Sequence, residues 1–324
     1  MDARSLVVTR SAMRDEGLRD DQIDNHLRRG RWVAVRRGVL APRTTPRADP
    51  DVEVAAVVAA LSRDVVVSHA HAARLWGLPS PLGGWPPLTV TAGGGPTRRR
   101  DGIHLVVAPC PDEDIDVDTH GLPVTTMART VADCLRTLPP PDALAIADAA
   151  LRGELSVPDL ACVMARQKGW PGIVVARRVA GLADPRRESP LESWSAWSFD
   201  LFGVPQPTWQ VDLRDAGGWF CGRVDGWWKE GVAGESDGKA KALLAAAERG
   251  GLDASTLAKV LDDERRREQR IRRTGCQVVR WGAGDVRRRT PSAALAAHLV
   301  HELATARTRS PFTGSARPAR QPSP

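Results

Sequence analysis

The stretch that decides the fold of the last third of the chain is CGRVDGWWKEGVAGESDGKAK, residues 221–241. Its two runs GRVDGWW and GVAGESDG flank a short turn, which predicts two neighbouring strands. Asp225 lies on the first run, and Glu235 and Asp237 lie two residues apart on the second, a spacing that places side chains on one face of a strand. The pattern leaves two interpretations open, a polar hairpin with solvated carboxylates or a shared metal site.

The metal interpretation predicts phosphodiester hydrolysis. Mg²⁺ prefers hard oxygen ligands, usually one or two carboxylates together with water and substrate phosphate. A bound metal activates water and neutralises charge that develops on the phosphate. We therefore expect Asp225 and Glu235 to be metal ligands, with Asp237 beside them and Glu192 approaching from a preceding helix. Lys239 is expected to stabilise the phosphate oxygens or to orient the attacking water.

Residues 1–45 predict a helix, a turn, a second helix and a basic β-hairpin. The second helix, within RDDQIDNHLRRG, has Asp20 or Asp21 as its expected N-cap and ends at Gly30, and the hairpin turns near Gly38. This is the order of a winged helix-turn-helix, in which the second helix enters the major groove and the wing contacts phosphate. The residues predicted to bind DNA are Gln22, Asn25, His26, Arg28 and Arg29 on the helix and Arg31, Arg36 and Arg37 on the wing.

The alternative for these arginines is a solvated helix face followed by a basic hairpin. Asp20, Asp21 and Asp24 oppose phosphate on one side of the helix, so only part of it is expected to approach DNA.

The rest of the chain predicts an α+β multi-domain protein. The predicted parts are a winged helix-turn-helix at 1–45, an α/β middle domain at 46–182, an α/β/α domain resembling restriction endonucleases at 183–305 and a disordered tail at 306–324. Pro190 is expected near the helix start that carries Glu192.

Composition favours a polyanionic partner and a cytoplasmic location. The 324 residues carry a formal net charge of +7, which suits duplex DNA. The five cysteines are dispersed, which is typical of reduced thiols and not of a disulfide framework. No apolar run approaches the roughly 20 residues of a membrane span, so no membrane partner is expected.

Four segments of the last third resemble the PD-(D/E)xK nuclease superfamily, and in particular the DUF559 domains related to very-short-patch repair endonucleases. They are ESPLES at 188–193, GRVDGWW at 222–228, GESDGKAK at 234–241 and DERRREQRIRRTGCQVVRW at 263–281. Two further segments, RDDQIDNHLRRGRWVAVRRGVL at 19–40 and HGLPVTTMARTVADCL at 120–135, resemble AbiEi-family antitoxins of type IV toxin–antitoxin systems.

The resemblances imply two functions from different classes. The first is a Mg²⁺-dependent DNA endonuclease that its winged helix directs to duplex DNA. The second is a regulator like an AbiEi-type antitoxin, with an inactive nuclease fold and a cognate toxin as partner. The lysine of the superfamily's (D/E)-x-K pattern is replaced by Asp237, and Lys239 or Lys241 is the basic residue just beyond it.

Other conspicuous residues favour structural roles. His69 and His71 are expected to be polar packing or helix-start residues, and the GGGPTRRR loop lacks the G-K-[ST] ending of a nucleotide site. Trp194, Trp197, Trp227 and Trp228 are expected in the core or at its rim, and the charged helix 262–273 is expected to present a solvated face with arginines available to phosphate.

Overall fold

The computed structural model describes residues 6–44, 50–61, 64–100, 102–118, 121–237, 254–306, 308 and 312–319. Within these ranges the protein is α+β, as predicted, with twelve α-helices and three β-sheets. The helices are α1 (Arg10–Asp15), α2 (Asp20–Arg28), α3 (Pro50–Ala60), α4 (His69–Leu75), α5 (Met127–Thr137), α6 (Pro140–Arg152), α7 (Val157–Arg166), α8 (Ile173–Gly181), α9 (Pro190–Phe202), α10 (Ala254–Arg273), α11 (Ala283–Arg287) and α12 (Arg289–Ala306). The strands are β1 (Val8–Thr9), β2 (Trp32–Arg36), β3 (Val39–Pro42), β4 (Val66–Val67), β5 (Leu88–Ala92), β6 (Arg98–Arg100), β7 (Ile103–Val107), β8 (Ile115–Val117), β9 (Pro123–Thr125), β10 (Thr208–Arg214), β11 (Phe220–Trp228), β12 (Val232–Ser236), β13 (Gln277–Trp281) and β14 (Ser315–Pro318).

The chain divides into two compact units. The first comprises Met1–Leu138 and Leu155–Ala176, and the second comprises Pro139–Glu154 and Arg177–Pro324. This grouping differs from the predicted boundaries at 45 and 182, because α3 joins the head to the middle sheet and α6 packs against α9.

The head, residues 6–44, has the predicted order of two helices and a hairpin. Strand β1 adds to the hairpin, so that the sheet order is β1-β3-β2. Met13 of α1 and Ile23 of α2 are buried with Leu40 of β3, which fixes both helices on one face of this sheet. The N-cap of α2 is Arg19, and the predicted caps Asp20 and Asp21 instead occupy the first turn.

Helix α3 packs on two sheets. Val52 and Ala55 pack with Val39 of the head, whereas Val57 packs with Val90 of the middle sheet. The middle sheet has the order β6-β7-β5-β4-β9-β8, with the arginine strand β6 at one edge. Because α3 is apolar on both sides, the head and the middle sheet form one unit.

The sheet of the second unit has the order β13-β12-β11-β10-β14, with β12 and β13 parallel and the other neighbours antiparallel. Phe199 of α9 packs against Trp209, Trp228 and Trp281 on one face. Ile271 of α10 lies with the apolar side chains of the other face, among them Trp227. Consecutive residues Trp227 and Trp228 therefore serve opposite faces, and helices cover both sides of the sheet.

The tail prediction was wrong for residues 312–319. Strand β14 pairs with the outer edge of β10, where Val211 lies opposite Pro318 and Arg214 lies opposite Ser315. Phe312 packs on Trp227 with their ring centroids 4.7 Å apart. The edge of β10 offers unpaired backbone groups, and one aromatic anchor is enough to dock a short segment of otherwise polar composition.

The surroundings of Gly234 explain why strand β12 has glycine where an aliphatic residue would be expected. A Cβ atom at this position would lie 2.6 Å from Trp281 and 2.9 Å from Trp228, both of which belong to the core. Strand β12 therefore needs glycine here to let two indole rings approach its backbone.

We predict that Gly234→Ala lowers the free energy of unfolding by about 1–3 kcal/mol, because the added methyl group overpacks the indole cluster. Urea denaturation followed by circular dichroism measures the change. Gly284→Ala is the matched control, since a Cβ there meets no atom within 4 Å. Equal stability of the two variants would show that the indoles move aside without cost.

Candidate functional site

The register of β11 and β12 places Asp225 beside Glu235. Gly226 lies opposite Gly234, so Asp225 and Glu235 are the next cross-strand neighbours. The backbone N–H and the hydroxyl of Ser236 both donate to Asp225 Oδ2, at 2.7 and 2.6 Å. These two bonds hold the Asp225 carboxylate at the end of the strand pair.

Glu192 reaches the same place from the first turn of α9. Ser189 is the N-cap and Pro190 the first helical residue, as expected for this helix start. Ser189 Oγ accepts from the backbone N–H of Glu192 and donates to its Oε1 at 2.8 Å. Gln210 Nε2 donates to Glu192 Oε2 at 3.0 Å, which ties the helix to strand β10.

The backbone of Gln210 has an unusual conformation that no pattern in the sequence predicts. It is one of two described non-glycine residues with positive φ, at 53°. Non-glycine residues rarely adopt positive φ, and those that do often occur at functional sites. Because of this left-handed residue, Trp209 and Val211 lie on opposite faces of the sheet: Trp209 packs on Phe199, and Val211 belongs to the apolar cluster that faces α10. The side-chain amide of Gln210 bonds to Glu192.

The Asp225 carboxylate lies near enough to Glu192 and to Glu235 to raise the pKa of each; we call these three residues the carboxylate cluster. Burial, together with the nearby Asp225 carboxylate, raises the pKa of Glu192 to about 7. Burial also raises the pKa of Glu235 to about 7, where the Arg267 hydrogen bond opposes the rise and Asp225 adds to it. Both glutamates are therefore positioned to hold or release a proton near neutral pH.

Arg267 of α10 is the cation that the structure places against this cluster. Its Nη1 donates to Glu235 Oε1 at 3.1 Å and to the carbonyl of Arg223 at 2.6 Å, and Glu264 accepts from its other nitrogens. The predicted solvated helix 262–273 thus turns Arg267 towards the sheet, and Arg270 also donates to the carbonyl of Cys221 on β11.

The donor set fits Mg²⁺ with two protein ligands. Among the described residues, Oδ1 of Asp225 and Oε2 of Glu235 accept no hydrogen bond, and carboxylate oxygens are the hard donors that this ion prefers. No group of three or more His, Cys, Asp or Glu side chains in the described part of the chain has the geometry of a metal site. An ion at the cluster would therefore complete its shell with water and substrate oxygens.

Asp237 lies beyond the end of the strand that carries Glu235. Strand β12 ends at Ser236, and Asp237 lies in the following turn with its N–H bonded to the carbonyl of Trp281. The alternation that was expected to align Asp237 with Glu235 therefore stops one residue short. Lys239 and Lys241 lie outside the described residues.

The predicted DNA-binding residues lie on α2, just after it and on the hairpin. Arg28 is the last residue of α2 and Arg29 its C-cap; Arg31 precedes β2, and Arg37 lies in the hairpin turn. These four residues are exposed. Arg36 is less exposed and lies 3.8 Å from Glu53.

The other three predicted residues of α2 have local roles or partial burial. Gln22 Oε1 accepts the backbone N–H of Arg19 at 2.9 Å and thereby caps the helix. Asn25 and His26 are half-buried, and the Nδ1 atom of His26 is buried with no hydrogen-bond partner among the described residues.

The aspartates of α2 are paired within the head. Asp20 and Asp24 accept from Arg10, and Asp20 also accepts from Arg14 at 3.0 Å. The acidic side of α2 therefore faces the arginines of α1, which leaves its C-terminal end and the hairpin as the basic surface.

The histidine prediction was confirmed. His69 is the first residue of α4, and both His69 and His71 are buried.

No protein-family model matches the chain. A stretch of 107 residues, 33% of this chain, is 36% identical to Uncharacterized protein MT2308 of Mycobacterium tuberculosis (strain CDC 1551 / Oshkosh) and to Uncharacterized protein Rv2248 of Mycobacterium tuberculosis (strain ATCC 25618 / H37Rv). The match spans 39% of the length of each relative. Among the described residues, no helix combines the length and apolar character that a membrane span requires.

We predict that conformational stability falls as pH rises through the raised pKa of Glu192. An acid whose pKa is raised on folding stabilises the folded state while protonated, and this contribution is lost above about pH 7. In chelator, Glu192→Gln should reduce the loss of stability between about pH 5.5 and about pH 8.5 by about 1–2 kcal/mol. Denaturant unfolding at both pH values measures it.

Glu188→Gln is the control, since Glu188 is exposed and outside the cluster. Identical pH dependence of wild type and Glu192→Gln would contradict the crowding of carboxylates at this position.

Proposed function

We propose that this protein binds duplex DNA through its head and hydrolyses phosphodiesters at the carboxylate cluster with Mg²⁺ as cofactor. The observation that carries the proposal is that the Asp225 carboxylate of β11 lies near both Glu192 of α9 and Glu235 of β12 in the second unit. Carboxylates crowd together at a cost in free energy unless a cation or a proton compensates them. Nucleases that use metal ions require such a set of hard oxygen donors.

Asp225 and Glu235 would hold the metal, which supplies charge neutralisation and an acidified water. Ser236 fixes the orientation of Asp225, and Gln210 fixes Glu192. Glu192 is the candidate proton acceptor, because its pKa of about 7 lets it take a proton from water near neutral pH. Arg267 would approach the scissile phosphate if it exchanged Glu235 for a phosphate oxygen, an exchange that suits a guanidinium group.

The head supports the DNA-binding part of the proposal. The turn of the hairpin and the end of α2 expose arginines, whereas Asp20 and Asp24 of α2 are bound to arginines of α1. Arginine side chains at a helix end and a hairpin turn match the phosphate contacts of winged-helix proteins.

We expect the wild type to nick supercoiled plasmid in Mg²⁺ or Mn²⁺ and to lose this activity in chelator. Asp225→Asn and Glu235→Gln should abolish nicking by removing metal ligands. Glu192→Gln should lower the rate by about 100-fold or more, as expected on loss of a general base. Glu188→Gln is the matched control and should keep the wild-type rate, and a nicking rate unaffected by Asp225→Asn would rule out the cluster as the active site.

We expect Arg28→Ala with Arg37→Ala to weaken binding to a duplex, because each arginine neutralises phosphate charge. The slope of log K against log salt concentration should become less steep, by about 0.9 for each phosphate that the variant no longer neutralises. Fluorescence anisotropy over a series of salt concentrations measures both quantities. Arg19→Ala is the control, because Arg19 is exposed and paired with Asp21 away from this surface. An unchanged slope in the double variant would contradict binding through the helix end and the hairpin.

A second candidate function is supported by the ion pair of Arg267 with Glu235 and by Asp237 in place of the superfamily lysine. An arginine that neutralises Glu235 performs part of the electrostatic role of a metal, and such a site can persist as a structural remnant. The protein would then be a DNA-binding regulator of the antitoxin class, with a toxin as partner. Tight duplex binding without nicking in either metal would favour this function over the endonuclease.

A further inference from the structure

The first unit contains a cavity of about 1010 Å³ that neither the head nor the carboxylate cluster uses. One wall is a face of the middle sheet, where Arg99, His104 and Thr89 lie side by side on β6, β7 and β5. The opposite wall is formed by the start of α4 and by α5, and the segment carrying Trp170 and Pro171 also lines the cavity. The cavity thus lies between the sheet and its helices, a common position for small-molecule sites.

The charge of the lining has one sign. Three arginines line the cavity, namely Arg99, Arg129 and Arg136, together with His69 and His104. None of the described lining residues is acidic. Burial lowers the pKa of His69 and of His104, and the nearby arginines lower both further, so both imidazoles are neutral hydrogen-bonding groups at neutral pH. The lining itself is therefore positively charged, and the carboxylates that pair with Arg129 and Arg136, Asp114 and Asp133, are not among its residues.

The motif PVTTMARTVADCL builds the helical wall. Thr126 caps α5 by accepting the N–H of Arg129, and Arg129 and Arg136 follow seven residues apart, so that they share a helix face. Arg129 is only 2% exposed and is held by Asp114 and Asp133 at 2.9 Å each and by the carbonyl of Pro109 at 3.0 Å. A buried arginine held this rigidly is preorganised for a ligand.

One nitrogen of the Arg129 guanidinium lacks a hydrogen-bond acceptor among the described residues. Arg129 Nη2 is buried and has no hydrogen-bond partner among the described residues. A buried donor without an acceptor costs free energy, and the cost is larger for a charged group. Arg129 is also a lining residue of the cavity, and a ligand oxygen that reached this nitrogen would remove the cost.

The rest of the lining is suited to a ring. The guanidinium carbons of Arg129 and Arg136 lie 5.1 and 4.9 Å from the centroid of Trp170. Ile103, Val106 and several prolines add apolar surface. A flat apolar body can pack on this surface while its charged group faces the arginines.

We propose that this cavity binds a small organic anion, in which a carboxylate or a phosphate ester attached to an apolar ring is bound by Arg129, Arg136 and Arg99. The proposal does not depend on the endonuclease proposal, because the two sites belong to different units of the chain.

Isothermal titration calorimetry on the full chain tests it with three probes of similar shape: 1-naphthoate, 1-naphthyl phosphate and the neutral 1-naphthamide. At least one anion should bind about tenfold or more tightly than the amide, as expected for charge-assisted hydrogen bonds. Preference for naphthoate identifies a carboxylate ligand, and preference for naphthyl phosphate identifies a phosphate ester. Anions that bind no better than the amide, or that do not bind at all, would overturn the proposal.

Arg99→Gln provides the variant, because Arg99 is exposed on the edge strand and its loss leaves the buried network intact. It should weaken anion binding about fivefold or more and leave the amide unaffected. Arg98→Gln is the matched control, since Arg98 lies on the same strand but not in the cavity wall. Equal anion affinity in the wild type and both variants would place the binding elsewhere and overturn the assignment.

Discussion

The antiparallel register of β11 and β12 is the constraint on which the second unit depends. Pairing of Gly226 with Gly234 makes Asp225 and Glu235 cross-strand neighbours, and a slip of one residue would turn one of them to the other face of the sheet. The register is held by packing on both faces. Trp281 and Trp228 close over Gly234 on one side, and Ile271 lies in the apolar cluster of the other. A core made largely of indole rings therefore sets the position of the charges.

The carboxylate cluster is an electrostatic compromise. Burial and mutual repulsion raise the pKa of Glu192 and of Glu235, while Arg267 compensates only the second of them. A metal ion would relieve the same repulsion more completely, because a divalent charge can bind Asp225 and Glu235 at once. The strained backbone of Gln210 beside Glu192 fits a site in which geometry is maintained against local stability. Under the proposed function, a metal ion would replace the proton or the arginine as the group that compensates these carboxylates.

In the first unit, a buried network of arginines and aspartates holds the helices in place. Arg129 and Arg136 share Asp133, and Arg166 joins Arg129 at Asp114. Each aspartate is neutralised by two arginines. The two arginines at Asp114 come from α5 and α7, so the network fixes these helices relative to the loop before β8. Removing Asp133 would take away the carboxylate partner of the largely buried Arg136, which is strongly destabilising.

The sequence by itself determined the helices and strands of the head, the helix start at Ser189 and Pro190, and the strand pair that carries Asp225 and Glu235, because caps, glycines and alternation act over a few residues. It also pointed to Glu192 through a family resemblance. Only the tertiary structure decided that Arg267 faces Glu235, that Gln210 bonds Glu192, and that residues 312–319 complete a sheet. Those contacts join segments far apart in the chain, and no local pattern encodes which partner a buried charge or an open strand edge will find. The same reason hid the cavity, whose arginines come from an edge strand and a helix that only folding brings together.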